Sequence, residues 1–142
     1  MIGNICSKPV VTASPDTTAQ EAAHRMLSRN VGALVVVNDR GRPIGMVTDR
    51  DITVKVVARG ADPASVRVGA LITRRPAVIN EDAGILDATK LLSRRGVRRL
   101  PVVNRTGQVV GILSLDDLLM LFGSELGHVA SALASELGRT RI

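Results

Sequence analysis

Two short runs in this chain combine a hydroxyl with a carboxylate at one spacing: Thr48-x-x-Asp51 and Ser114-x-x-Asp117. Each stands where a β-rich run gives way to a helical pattern, which puts free backbone N–H groups beside the two side chains. Such a start serves either of two ends. A Ser or Thr followed three positions on by an acidic residue caps the helix, each side chain bonding the other's backbone. The same groups can hold a sugar phosphate, the carboxylate accepting from paired ribose hydroxyls while the hydroxyl and N–H groups meet the anion. Recurrence in register favours the binding reading, although duplication copies caps as well as sites. A third group, Arg98-Arg99, heads the run Leu100-Pro101-Val102-Val103-Asn104. A guanidinium there can reach a cleft and chelate phosphate in a bidentate way. Equally, Arg94, Arg95, Arg98 and Arg99 can form a solvated basic patch.

Little other chemistry is on offer. His24, His128 and Cys6 are too few and too scattered for a zinc site or a Cys/His nucleophile pair. No Gly-rich loop leads into a Lys to make a P-loop, and no Gly-x-Gly-x-x-Gly is present. No residue is evident that would turn over a substrate, so the chain is expected not to be an enzyme. A lone cysteine cannot make an internal disulfide, which fits a reducing compartment. The N-terminus lacks the layout of a signal peptide, and no apolar run approaches the roughly 18 residues that span a bilayer. A soluble, cytoplasmic protein with no membrane partner is expected. The formal net charge is +6, and every basic residue except Lys8, Lys55 and Lys90 is arginine. That balance suits an anionic partner or, alternatively, solvated arginine faces.

The elements that must position these groups occur twice. Val31/Val97, Leu34/Leu100, Val36/Val102, Val37/Val103, Asn38/Asn104, Gly41/Gly107 and Gly45/Gly111 are identical pairs at a constant offset of 66 residues. In the first copy the patterns predict a strand over 9–12, a helix over 16–30 and strands over 33–38 and 43–47. A helix over 49–58 follows, stopped by Gly60. Thr18 and Glu21 have capping-box spacing. The second copy repeats the order with 77–79, 85–95, 100–104, 108–113 and 115–122. The fold class is therefore α/β in the α+β sense: two β-α-β-β-α repeats, at residues 1–60 and 71–123, joined by a linker and lead-in over 61–70. Each repeat is too small to bury its elements alone, so the copies should dock around a pseudo-twofold axis. With no Trp or Tyr and only Phe122 among aromatics, the core must be aliphatic. Residues 124–142 lie beyond the repeat. There Leu126, Val129, Ala130, Leu133, Ala134 and Leu137 share one helical stripe, which can fold back on its own chain or pack against a second copy.

In these motifs the chain resembles a tandem pair of cystathionine-β-synthase (CBS) domains, the regulatory unit often called a Bateman module. The resemblance spans about residues 1 to 122. It rests on the runs through Gly41 and Gly45 into Thr48-x-x-Asp51, and through Arg98-Arg99-Leu100-Pro101-Val102-Val103 into Ser114-x-x-Asp117. It implies two clefts that take adenosine-containing ligands such as AMP, ADP, ATP, S-adenosylmethionine or NAD, with no cofactor required. By the same resemblance Thr48, Asp51, Ser114 and Asp117 contact ribose and phosphate. Arg98 and Arg99 contact phosphate, and Val10, Val11, Thr12, Val78 and Ile79 line the adenine pocket. The chain departs from the pattern at Gly32-Ala33, which lack a basic residue, so the clefts should be unequal and ligand should prefer the one reached by Arg98 and Arg99. A non-catalytic homodimer acting on a separate regulated protein is the leading expectation. A structural or interaction dimer with empty clefts stands beside it. Nucleic-acid binding through the arginines is a third reading, opposed by the lack of aromatic stacking residues.

Overall fold

The computed structural model of the chain describes residues 1–72 and 74–140. A short strand β1 (Thr12–Ala13) is followed by helix α1 (Ala19–Arg29), the hairpin β2 (Ala33–Val37) and β3 (Pro43–Thr48), and helix α2 (Asp49–Ile52), which continues as a π-helical stretch over Thr53–Val57. The order returns as β4 (Ile79–Asn80), α3 (Ile85–Arg95), β5 (Arg99–Val103), β6 (Val109–Ser114) and α4 (Leu115–Thr140). Both sheets have three strands, the first parallel to the second and the second antiparallel to the third. The expected β-α-β-β-α repeat is thus present twice. Its register is preserved as well: Ala33 pairs with Thr48 and Arg99 with Ser114, with an irregularity after Val36 in one hairpin and after Val102 in the other.

Local chemistry sets the element ends. Thr18 and Glu21 close a reciprocal cap at 3.1 and 3.0 Å, so α1 begins at Ala19 and buries Ala19, Ala22 and Met26. The helix does not start at residue 16 as the spacing predicts, because Ser14 N–H donates to the buried Thr17 hydroxyl at 3.1 Å and holds a turn there. Paired strand is also shorter than predicted. Only Thr12 and Ala13 pair with β2, with one further bond from Val35 N–H to the Val11 carbonyl.

The two cores interlock through the segments that precede each repeat. Leu34, Val36 and Val47 of the first sheet pack with Ala22, Met26, Ile52 and Val56, and the cluster is completed by Val68 and Leu71 from the inter-repeat segment. The second core, around Leu100, Val102, Leu113, Leu92 and Leu118, takes Ile2 from the N-terminus. Backbone bonds fix both insertions alike: Val68 to Thr17 (2.8 Å) and Gly69 to Pro15 (2.9 Å), Ile2 to Ala83 (2.9 Å) and Gly3 to Glu81 (2.9 Å). Val35 and Pro101, on the opposite strand faces, are also fully buried, which locates where the sheets face each other. The hairpin turns meet symmetrically. A Cβ on Gly41 would touch Gln108 and one on Gly107 would touch Arg42. Val109 N–H donates to the Gly41 carbonyl at 3.0 Å; its counterpart, Pro43, has no N–H to return the bond.

Two glycines let the lead-in segments approach the sheets. A Cβ on Gly45 would lie 2.8 to 2.9 Å from three carbons of Ile72, and one on Gly111 would lie 2.6 Å from the Cys6 Sγ. Burial of Cys6 here pushes its thiol above the ordinary pKa, opposed in part by the Lys8 ammonium. Less thiolate is then available near neutral pH. Alkylation by iodoacetamide, followed by mass spectrometry, should run several-fold slower in the native protein than in the urea-unfolded chain. Equal rates would place Cys6 outside the second core.

Helix α4 corrects one expectation. Residues 115–122 and 124–139 do not form two helices but one of 26 residues, because Gly123 lies inside the helix and leaves its backbone bonds unbroken. The merged element is long and apolar enough, by length and composition alone, to cross a membrane, which the interrupted apolar run in the sequence did not suggest. Only its first two turns bury side chains; from Phe122 to Arg139 every residue is exposed.

Candidate nucleotide cleft

At the end of β3, Thr48 leaves the sheet in an extended conformation and becomes the N-cap of α2. Asp51 N–H donates to the Thr48 hydroxyl at 3.1 Å, and the Asp51 Oδ2 accepts from Thr48 N–H at 2.9 Å. The capping role is therefore real. It leaves one carboxylate oxygen over: Oδ1 lies 3.3 Å from the ammonium of Lys55, which also donates to the Leu71 carbonyl at 2.9 Å. Lys55 sits in the π-helical stretch, a local widening often found at functional positions.

These groups open onto a cleft of about 430 Å³ between the repeats. Its apolar walls are Met46, Leu71, Ile72, Pro76, Ala77 and Val97, and its cationic side chains are Lys55, Arg74, Arg75, Arg95 and Arg99. Arg99 comes from the head of β5 and thus serves the cleft of the other repeat. Its guanidinium passes 3.8 Å from where a Cβ on Gly32 would stand, and the Asp49 carboxylate lies 3.2 Å from that point. A Cβ at 32 would press on the Asp49 carboxylate and stand in ordinary contact with Arg99.

Ser114 and Asp117 repeat the reciprocal cap, at 2.8 and 3.0 Å. The charge around them differs. Sixty-six residues away from Lys55, Arg74, Arg75, Arg95 and Arg99 stand Leu121, Lys8, Pro9, Arg29 and Ala33. Three of the five cationic positions have no counterpart. Among the described residues there is no group of three or more His, Cys, Asp or Glu that could hold a metal ion.

The sequence pattern of the CBS domain matches residues 2–58 and again residues 68–124. The chain belongs to the CBS-domain family. A relative from Methanopyrus kandleri, the uncharacterized protein MK0525, is 35% identical over 84% of this chain, which spans 61% of that relative's length. Among solved structures, the CBS domain pair of protein MJ0100 in complex with 5'-methylthioadenosine and S-adenosyl-L-methionine is similar at a TM-score of 0.77, with 28% identity over 88% of this chain and 97% of that one. Hypoxic Response Protein I, solved with two coordinated zinc ions, is similar at a TM-score of 0.75, with 30% identity over 84% of this chain and 96% of that one.

Within the CBS pair the residues expected at the site go to different places. Thr48, Asp51 and Arg99 come together in the described cleft. Arg98 does not join them; it stands in the bend just before β5, where its Nη2 lies 3.6 Å from the exposed Asp116. It lines a separate hollow with Leu92, Ser93 and Leu115. Val11 packs on the first core, the Thr12 carbonyl accepts from Arg25 at 3.0 Å, and Val10 is half-buried. Ile79 is buried in the second core and Val78 is exposed. Pro76 and Ala77, just upstream of β4, line the cleft together with Thr48. Lys55, Arg74, Arg75 and Arg95 were not singled out as site residues by sequence reasoning. The signal for Lys55 was its place one helical turn after Asp51, where an i, i+4 ion pair forms.

Proposed function

We propose that this CBS pair is a non-catalytic regulatory module that binds an adenosine-containing nucleotide in the Thr48–Asp51 cleft and passes its state to a separate protein. The observation that carries this reading is the set of five cationic side chains around a capped helix start. In this arrangement the ribose hydroxyls donate to Asp51, displacing Lys55 from Oδ1. The adenine ring lies against the apolar wall that includes Ile72, Pro76 and Ala77. Phosphates meet Arg99 and Arg95, with Arg74 and Arg75 at the inter-repeat segment. The cleft volume falls within the roughly 300–1,000 Å³ usual for small-ligand sites. Binding in the MJ0100 pair of two ligands that share an adenosine group supports the adenosine part of the reading. The surplus of cations selects among such ligands, because the sulfonium of S-adenosylmethionine would meet like charge and a phosphate would not.

Titration calorimetry against AMP, ADP, ATP, adenosine and S-adenosylmethionine tests the proposal. The phosphorylated ligands should bind at least about tenfold tighter than adenosine, given one or more charge-assisted pairs. S-adenosylmethionine should be the weakest. Tighter binding of S-adenosylmethionine than of ATP, or no heat with any ligand, would overturn it.

A further inference from the structure

Helix α4 outlasts the fold that starts it. Leu118 is buried in the second core, but from residue 122 onward α4 projects about 27 Å at the usual helical rise, exposed at every residue through Arg139. Along that projection Leu119, Phe122, Leu126, Val129 and Leu133 recur at spacings of three, four, three and four, and Leu137 follows. All six are exposed, Leu126 by 69%. From Leu119 to Leu133 the spacing averages 3.5 residues, the signature of a seam between helices, and Leu137 falls one residue beyond that register. Contact with lipid imposes no such period.

The helix also needs a partner for its own stability. Gly123, Gly127 and Gly138 each disfavour helix, and an unpacked segment of this length is marginal in water even without them. The same small residues continue as Gly123, Gly127, Ala130 and Ala134 alongside the apolar seam, where they permit close backbone approach. Two such seams closing on each other would bury on the order of 1,000 Å² in total, the size of a small specific interface. Charge chooses the direction. The helix starts with Asp116 and Asp117 and ends with Arg139, so an antiparallel pair brings unlike ends together and opposes the two helix dipoles. In the a-to-d register of such a pair, Leu126 faces the partner's Val129 and Phe122 faces the partner's Leu133, and the end with Arg139 comes level with the partner's acidic start at Asp116. A bilayer is the poorer occupant, since Glu125 and His128, 3.8 Å apart at mid-helix, would have to enter hydrocarbon.

We propose that α4 is a dimerisation element that pairs antiparallel with α4 of a second copy of this chain. Sedimentation velocity of the full chain should show a dimer, and Leu126→Glu with Leu133→Glu should raise its dissociation constant at least about a hundredfold. At concentrations low enough that both proteins are monomeric, the double variant's core should melt as the wild type's does, because neither side chain touches it. Direction is read by mixing Leu126→Cys and Val129→Cys chains in a Cys6→Ala background. The mixed disulfide should form faster than either homodisulfide. A monomeric wild type would overturn the proposal, as would a double variant that dimerises normally. A chain that is monomeric in water but co-sediments with phosphatidylcholine vesicles would assign the helix to lipid. Faster homodisulfide formation by the Leu126→Cys chain than mixed linkage would refute the antiparallel arrangement.

Discussion

Arg99→Ala should weaken AMP binding by about ten- to a hundredfold while changing adenosine affinity by no more than about threefold. Only AMP presents a phosphate, and a phosphate drawn into a partly desolvated cleft needs compensating positive charge beyond the partial charge of a helix start. Arg99 reaches the Thr48–Asp51 cleft from the opposite repeat, beside Gly32. Arg98→Ala is the control, because that side chain lies on the outer surface against Asp116. Calorimetry with the two variants and two ligands decides the matter. Equal losses for AMP and adenosine would be incompatible with a phosphate role for Arg99, and an Arg98 effect as large would move the phosphate elsewhere.

Gly45→Ala should lower stability and ligand affinity together. The new methyl would lie within 2.9 Å of the Ile72 Cβ, an atom tied directly to the backbone, so the inter-repeat segment must shift rather than a side-chain tip. Overpacking of this kind costs about 1–3 kcal/mol, a fall in Tm of several degrees for a chain of this size. Ile72 also lines the cleft, so the same shift disturbs its apolar wall. Ile72→Ala in the Gly45→Ala background removes two of the three crowding atoms and should restore part of the lost Tm, as followed by circular dichroism. A Gly45→Ala protein that melts and binds as the wild type does would show that the segment is not held against the sheet as described.

The joint dependence has a mechanical meaning for a regulatory module. Lys55 links the Asp51 carboxylate to the Leu71 carbonyl, and Leu71 belongs to the segment that both completes the first core and leads into the second repeat. In the proposed binding mode, a ribose at Asp51 would release Lys55 from one of its two partners. Ligand energy can then bias the arrangement of the repeats to the extent that it differs between the two states.

Much of this was legible in the residues themselves. The offset of 66 predicted the repeated element order, and the hairpin register reproduces it pair by pair. Caps at Thr18, Thr48 and Ser114 were readable because a cap involves residues only three apart. Periodicity also marked the stripe from Leu126 to Leu137, though not that Gly123 would lie inside one unbroken helix. Short-range spacing could carry these features because each depends on neighbours along the chain.

Tertiary structure decided the rest. Ile2, which leads into the first repeat, enters the core of the second, and Val68, which leads into the second, enters the core of the first; no local pattern encodes that exchange. The same holds for the site. Adjacent arginines looked alike as residues, but Arg99, the first residue of β5, lines a cleft, while Arg98, in the bend before it, pairs with Asp116 on the surface, and the docking of the repeats makes that cleft the one with Thr48 and Asp51. Pro76 and Ala77 line the cleft, whereas Ile79, where paired strand begins, places its side chain in the second core. Residue type and spacing determined which groups were available for binding. Which of them share a cleft depended on how the two sheets meet, since that packing is set by buried area summed over both repeats.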